Sequence, residues 1–358
     1  MADTIKQWTT RLDGLDNLAL TTAPKPTPSQ NEVLVKINTV SLNYRDTEVI
    51  MGLYGHHASL PAANSKPEPL VPCSDICGTI VSSRSSKWTE GQRVMAIFNQ
   101  THLTGQIKGK NMASGLGLPL QGCLTEYRVF DEDGLVAVPD YLTDEEASCL
   151  PIAGVTSWMG INGFRPLGRP AEKMEGKETV LVQGTGGVSI AGLLIAKAAG
   201  MRVIVTSSSD EKLARAKQLG ADEGINYRTT PDWEREVLRL TEGEGADIIF
   251  ENGGAKTLRK SFDCVAWGGL IDCIGYLSGK EDEPGDRMNT NVLALKRNVT
   301  LKGILNGPRD RFEEMVEFYA RHRVRPVVDR TFEFGEAKNA LKYLFSGGHF
   351  GKVVVKVA

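Results

Sequence analysis

No run in this sequence approaches the roughly 18 consecutive apolar residues that a membrane span requires. The opening residues, MADTIKQWTTRL, also lack the apolar stretch of a secretory signal. A cytoplasmic protein with no membrane partner is therefore expected. Positive charge is not in excess, since 42 Lys and Arg face 44 Asp and Glu for a formal net charge of −2. A chain without a global positive field does not collect phosphate backbones, so nucleic acid is not an expected partner. The one short basic run, residues 321–325, reads as a solvated helix end. Cysteine is sparse: six residues at 73, 77, 123, 149, 264 and 273 form neither a C-x-x-C pair nor a small-domain disulfide framework. Reduced thiols are expected. Internal repeats and low-complexity tracts are absent.

What is present describes a folded chain with a large core. The 358 residues suit two domains, and 41% apolar residues, 24% charged residues and 38 glycines fit tight-turned globular units. Residues 32–82 alternate short β-branched runs (Val33-Leu34-Val35, Thr79-Ile80-Val81) with Gly, Pro, Asn and Asp clusters, the pattern of small-strand β structure. Residues 105–120 are rich in Gly, Lys and Ser without periodicity and read as a long loop, the rim of a pocket.

After Pro139 the pattern changes. Thr143-Asp144-Glu145-Glu146 is a capping box ahead of a helix. Strands then follow at 179–182, 202–206, near Ile225, at 247–250 and at 270–274, with helices from Val188 and over 233–240 between them. Such βαβ repetition predicts a parallel, doubly wound sheet. The last 60 residues are strand-rich again, at 299–304 and 352–357, around one helix near 311–321, and are expected to rejoin the N-terminal domain.

Gly184-Thr185-Gly186-Gly187-Val188-Ser189 follows the apolar strand Val180-Leu181-Val182 and opens a helix. Glycines there let a pyrophosphate approach backbone N–H groups at a helix N-terminus, so dinucleotide binding is expected even though Ser stands at the third glycine position. Where NAD-specific folds carry an acid after the second strand, this chain has Ser207, Ser208 and Ser209. A 2′-phosphate requires donors and positive charge. Ser207, Ser208, Lys212, Tyr227 and Arg228 supply them, so NADPH is expected over NADH. The alternative is that the serines merely cap the helix beginning at Asp210 and that Lys212 is solvated.

The segments SLNYRD (41–46), PLQGCLTEY (119–127), LPIAGVT (150–156), GTGGVS (184–189) and SGGHFGK (346–352) together resemble the quinone oxidoreductase and zinc-independent alcohol-dehydrogenase-like branch of the medium-chain dehydrogenase/reductase superfamily. The match spans almost the whole chain. It implies an α/β protein with a GroES-like, β-rich catalytic domain built from residues 1–152 and 300–358. A Rossmann domain over residues 153–299 lies between them, with NADPH in the cleft and a homodimer as the assembly. Zinc-dependent relatives bind catalytic metal through Cys and His. The matching positions here are Asn43, Ser74 and Ile152, and residues 99–122, where relatives carry four structural cysteines, have none. No metal is expected. Cys73, Cys77, His56 and His57 match no tetrahedral spacing and read as core thiols and solvated imidazoles.

The resemblance places Asn43 and Tyr54 in the substrate pocket, Thr156 against the nicotinamide, and the backbone of Ile274-Gly275-Tyr276 beside the reactive ring. The segment His349-Phe350-Gly351-Lys352 approaches the cofactor phosphates, with Phe350 and Lys352 as contacts. Tyr54 is then a candidate proton donor, with Tyr44 behind it. Each has a plainer alternative: the tyrosines as packing groups, Asn43 as a turn residue, Thr156 as a helix stabiliser, Lys352 as a surface lysine opening the final strand. Asp46 is expected to hold Arg45 or a loop N–H. The expected reaction is hydride transfer from NADPH to a quinone or to the C=C bond of an α,β-unsaturated carbonyl. NADPH-dependent ketone or aldehyde reduction and a non-catalytic NADPH-binding role are the alternatives.

Overall fold

The computed structural model describes residues 3–55, 68–281 and 289–357. The pair His56 and His57 lies outside them. The chain divides into two compact units, Met1–Val155 with Gly307–Ala358, and Thr156–Asn306.

The first unit begins with an antiparallel ribbon of β1 (Thr4–Thr9) and β2 (Ala19–Pro24). The next elements are β3 (Glu32–Leu42), α1 (Tyr44–Ile50), β4 (Asp75–Ser83), β5 (Arg93–Ala96), α2 (Gly109–Met112), β6 (Tyr127–Asp131), β7 (Leu135–Ala137) and α3 (Asp144–Ser148). The apolar run of β3 is buried on nearly its whole length, with β4 paired along one edge and β6 and β15 along the other. Thr143 caps α3 as its sequence predicts: its hydroxyl accepts from Glu146 N at 3.2 Å, and the Glu146 carboxylate accepts from Thr143 N at 2.9 Å. The loop over 105–120 contains the short helix α2 and is packed down, with Leu116 fully buried. A single π turn, Leu150–Gly154, leads into α4 (Val155–Asn162) at the division between the units.

The second unit alternates β8 (Thr179–Gln183), α5 (Gly187–Ala198), β9 (Arg202–Ser207), α6 (Asp210–Gln218), β10 (Glu223–Asn226), α7 (Trp233–Leu240), β11 (Ala246–Glu251), α8 (Leu258–Cys264), β12 (Val265–Cys273), α9 (Thr290–Lys296) and β13 (Thr300–Gly303). Its parallel sheet has the order β10-β9-β8-β11-β12-β13. Counted from β8, this is the doubly wound dinucleotide-binding order, with the chain reversing direction across the sheet between β8 and β11.

The chain then returns to the first unit through α10 (Arg309–His322), β14 (Val328–Glu333), α11 (Ala337–Phe345) and β15 (Lys352–Lys356). There β15 lies between β14 and β3. The return comes later than the sequence suggests. The apolar stretch at 299–304 forms β13, which pairs with β12 and belongs to the Rossmann sheet, so the boundary stands at Gly307 rather than residue 300. A short apolar strand declares its period and not its partner.

The second unit packs tightly around Phe250 on β11. A Cβ at Gly192 of α5 would lie 2.5 Å from its ring, and one at Gly160 of α4 2.7 Å. Gly192 therefore provides the close helix-to-sheet approach that the third glycine of a dinucleotide loop ordinarily gives, while Ser189 at that loop position bonds back to Gln183 O at 2.7 Å. Beside Gly160 lies Asp272, fully buried, whose two carboxyl oxygens have no hydrogen-bond partner among the described residues. Burial pushes this carboxyl up from its ordinary 3.8 to about 8, with Lys302 pulling it back. The folded state thus keeps a proton that the unfolded chain releases near pH 4, and stability falls as pH rises between those two values. Asp272→Asn, neutral throughout, is expected to flatten this loss. Thermal unfolding between pH 5 and 9 should show the wild type declining more steeply, and parallel curves would refute the assignment.

Candidate active site

In the first unit, Asn43 ends β3 and starts α1. Its backbone N–H donates to Asp46 Oδ2 at 2.8 Å, closing a capping box. Asp46 is buried, which pushes its carboxyl up to about 6 against the opposing charge of Arg45. Both expected partners of Asp46 are thus present, the N–H at bonding distance and the Arg45 guanidinium at 3.9 Å.

Arg45 reaches across the unit. Its fork donates to Leu116 O at 3.1 Å and Leu118 O at 2.8 Å, while the guanidinium lies 4.8 Å from the Tyr54 ring and 4.7 Å from that of Phe98. A planar, five-donor cation can clamp two carbonyls and stack on rings at once, which an ammonium cannot. Tyr54 is half-buried, beside this clamp. Tyr44 stacks on Phe345 with centroids 6.2 Å apart, and burial together with the Glu48 charge raises its phenol's pKa.

The residues at the metal positions converge through the backbone. Cys73 adopts a left-handed φ of +68°, and a Cβ at Gly117 or Gly122 would lie 2.8 or 2.3 Å from its carbonyl oxygen. These contacts hold the turn that delivers Ser74 and Asp75. The Ser74 hydroxyl donates to Asp75 Oδ1 at 2.8 Å and Ile152 N to Asp75 Oδ2 at 3.1 Å. Asp75 is fully buried; burial raises its carboxyl pKa, and Lys352 is the largest influence pulling it down. Cys73 and Cys77 are core thiols, as expected.

Lys352 is 5% exposed. Antiparallel register sets Val353 opposite Leu42, so Lys352 meets Asn43, and its Nζ donates to Leu42 O and Asn43 Oδ1, both at 2.6 Å. It is no surface lysine: its ammonium is bound to the Asn43 amide. Phe350 is fully buried, and Gly351, at φ +79° with Val327 O 2.6 Å from a would-be Cβ, accounts for the glycine before Lys352. Zinc does not fit this set. Ile152 has no donor atom, the Asn43 oxygen already accepts from a cation, and a second cation would be repelled by the first.

In the second unit, Gly184 has φ +78° with open space where a Cβ would stand, and α5 starts at Gly187 with no side-chain cap on Gly186. Thr185 and Val188 complete a turn whose helix N-terminus suits an anion, so the loop fits a dinucleotide pyrophosphate. At the neighbouring strand ends Ser207 pairs with Asn226, and Tyr227 N donates to Ser207 O at 3.0 Å. Ser207, Ser208, Tyr227 and Arg228 are thereby gathered at one edge of the sheet. The capping alternative holds for Ser209, whose hydroxyl accepts from Lys212 N at 3.3 Å, and not for Ser207, whose hydroxyl accepts from Ser209 N. Thr156 is buried in the first turn of α4. Ile274 and Gly275 donate their N–H groups to Glu251 O at 3.0 and 3.2 Å, so the segment through Tyr276 runs beside the end of β11.

Two contributors were not foreseen. Ser157 donates to Val188 O at 2.8 Å, tying α4 to the dinucleotide loop. Glu251, 1% exposed, accepts from Gln183 Nε2 at 2.7 Å, Gly253 N at 3.0 Å and Gly254 N at 2.9 Å, and from the Thr257 and Ser261 hydroxyls. It knits β8 to β11 where the sheet reverses. A carboxylate closing the apolar strand ADIIFE was its only signal.

A polar set on a GroES-like unit and a dinucleotide loop on a Rossmann unit define a two-domain oxidoreductase. Residues 29–140 match the alcohol dehydrogenase GroES-like domain, and residues 187–321 match the zinc-binding dehydrogenase family. The chain is 39% identical over 330 residues to a zinc-type alcohol dehydrogenase-like protein of Schizosaccharomyces pombe, covering 91% of each. It is 28% identical to a quinone oxidoreductase of Pseudomonas aeruginosa, covering 87% of each. The solved structure of an NAD-dependent alcohol dehydrogenase superposes with a TM-score of 0.83 at 29% identity, over 99% of this chain and 100% of that one. The chain belongs to the medium-chain dehydrogenase/reductase superfamily, alongside its zinc-type alcohol dehydrogenase-like members.

Arg45→Lys keeps the charge and loses the fork. It is expected to raise hydrogen exchange about tenfold or more at Leu116 and Leu120, since each charge-assisted bond contributes about 1.5–3 kcal/mol, with Rossmann amides unchanged. Unaltered protection at those residues would exclude the clamp.

Proposed function

We propose that this chain is a zinc-independent, NADPH-dependent reductase that transfers hydride to a quinone or to the C=C bond of an α,β-unsaturated carbonyl. The observation that carries the reading is the side-chain set at the metal positions: an amide, a hydroxyl and a hydrocarbon, with a lysine ammonium on the amide oxygen. Charge developing on an acceptor oxygen there meets hydrogen-bond donors instead of a Lewis acid. Ketone reduction leans harder on Lewis-acid polarisation, which favours the conjugated acceptor.

NADPH, when bound, supplies the hydride. Gly184, Thr185, Gly186, Gly187 and Val188 hold its pyrophosphate, and Ser207, Ser208, Lys212, Tyr227 and Arg228 its 2′-phosphate. Thr156, Ile274 and Tyr276 flank the nicotinamide. Asn43 and Tyr54 position the acceptor oxygen, and the Tyr54 phenol donates a proton or relays one from solvent. Alcohol dehydrogenase relatives favour a second reading, NADPH-dependent reduction of ketones or aldehydes through the same two residues.

No helix among the described residues is long and apolar enough to cross a membrane; a cytoplasmic site of action is part of the proposal. A homodimer is supported by β13, an edge strand bearing Leu301, near which Trp267 and Leu295 are also exposed. Leu301→Lys is expected to halve the mass seen by sedimentation; an already monomeric wild type would exclude the dimer.

Chelator-treated protein should be assayed with NADPH and with NADH against matched enones, quinones, ketones and aldehydes, with products identified by mass. Turnover of enone or quinone, unaffected by chelation and at least about tenfold better with NADPH, is expected. Reduction of carbonyls alone would install the second reading. Loss of activity on chelation with recovery on adding zinc would overturn the metal-free site, and equal use of NADH would overturn the cofactor preference. Tight NADPH binding without turnover of any acceptor would leave a non-catalytic role.

A further inference from the structure

Lys352 has only donors on its ammonium, so every atom it bonds must be an acceptor. Two acceptors lie at 2.6 Å, Leu42 O and Asn43 Oδ1. The Asn43 amide therefore has one permitted orientation. Turned over, it would press its own N–H groups against a cation. With the oxygen committed to Lys352, the buried amide nitrogen faces the Asp75 carboxylate, toward which one of its N–H groups donates. The backbone of Asn43 is held as well, through its N–H on Asp46. The Asn43 N–H that does not face Asp75 is a preoriented donor, which is what a developing oxyanion requires.

We propose that Lys352 is a positioning residue that locks the Asn43 amide so that its N–H₂ group donates to the acceptor oxygen of the substrate as hydride arrives. The proposal rests on the reductase reading given above, and holds for a conjugated acceptor or a simple carbonyl, since both develop charge on oxygen. Asp75, buried between the Ser74 hydroxyl and the Ile152 N–H, lies within electrostatic reach of the Lys352 ammonium. The electron pair of the hydride ends on the acceptor carbon, and the charge displaced onto oxygen is discharged by a proton from solvent or from Tyr54.

The test compares Lys352→Met, Lys352→Arg, Asn43→Ala, Asn43→Asp and the double variant Asn43→Ala with Lys352→Met. Removing one oxyanion donor costs about 10²–10³-fold in kcat, so Asn43→Ala should lose that much. Lys352→Met should lose a comparable factor, with NADPH Kd within about threefold of wild type, and the double variant should be no worse than either single one. Lys352→Arg, whose side chain is also donor-only, should recover most of the rate. Asn43→Asp keeps Lys352 partnered but lacks the N–H₂, so it should be as slow as Asn43→Ala, and it tests the donor even if Lys352→Met does not fold.

An NADPH Kd weakened more than about tenfold in Lys352→Met, with kcat at saturation unchanged, would assign the lysine to the cofactor phosphates and overturn the proposal. Multiplying losses in the double variant, or an active Asn43→Asp, would do the same. A readout independent of turnover is the Asn43 side-chain amide signal in protein labelled with ¹⁵N at asparagine. It is expected as one sharp pair in wild type and Lys352→Arg, and broadened or shifted in Lys352→Met. No turnover by wild type with any acceptor would defeat the reductase reading, while this signal would still decide whether Lys352 orients the amide.

Discussion

A buried ammonium has to be surrounded by acceptors, and much of the first unit is arranged around that requirement. Lys352 is nearly inaccessible, and a charged group taken out of water needs polar partners around it. The antiparallel register of β15 on β3 puts Leu42 O and Asn43 Oδ1 at its tip, and the left-handed Cys73 turn brings Asp75 close enough to balance the charge. Gly117 and Gly122 are small because the Cys73 backbone occupies the space their side chains would fill. Gly351 is small because Val327 O does the same beside the lysine. Relatives that bind zinc place a divalent ion among thiolates and imidazole; here a monovalent, covalently attached cation lies on an amide.

The second unit depends on a different buried charge. Glu251 gathers N–H and hydroxyl donors from three segments, so the ends of β8 and β11 are joined by a carboxylate rather than by ladder bonds alone. Asn252 extends this network to Gln183 O and to Ser189 at the root of the dinucleotide loop. Ser157 reaches the same loop from α4. The loop is thus supported from below by side chains that need never touch a cofactor.

Much of this fold was legible because its elements advertise themselves by period and punctuation. The capping box at Thr143, the Gly184–Ser189 turn between an apolar strand and a helix, and the alternation from 179 to 274 are local signals, and local signals survive in sequence. What failed was assignment of partners. The 299–304 strand looked like part of the returning domain because its side chains carry no mark of which sheet edge they join. The protein neighbours of Lys352 were not legible, since they are set by register with residues near 42 and not by its own surroundings in the chain. Glu251 was missed for a related reason: Gln183 reaches it from 68 residues away, and the nearer donors, from Gly253 to Ser261, converge on it only once the chain turns after β11. Of the site residues, Asn43 and the glycine loop lie in local geometry that their motifs describe, whereas the stacking of Tyr44 on Phe345 joins positions too far apart in the chain to be read from either motif.

The first unit is built from two stretches of chain with the whole Rossmann unit threaded between them. During synthesis, β3 and Asn43 leave the ribosome 309 residues before the lysine that orients them. The nucleotide-binding unit has all of its strands available earlier, and domains tend to fold as units as they emerge. The nascent protein can therefore assemble a cofactor cradle well before it owns a finished place for an acceptor. Until β15 arrives, residues 39–42 on one edge of β3 stand open. Such an order makes late arrival of a single strand the step that converts a folded nucleotide binder into a complete enzyme, and it leaves an interrupted translation product with no oriented amide to misuse.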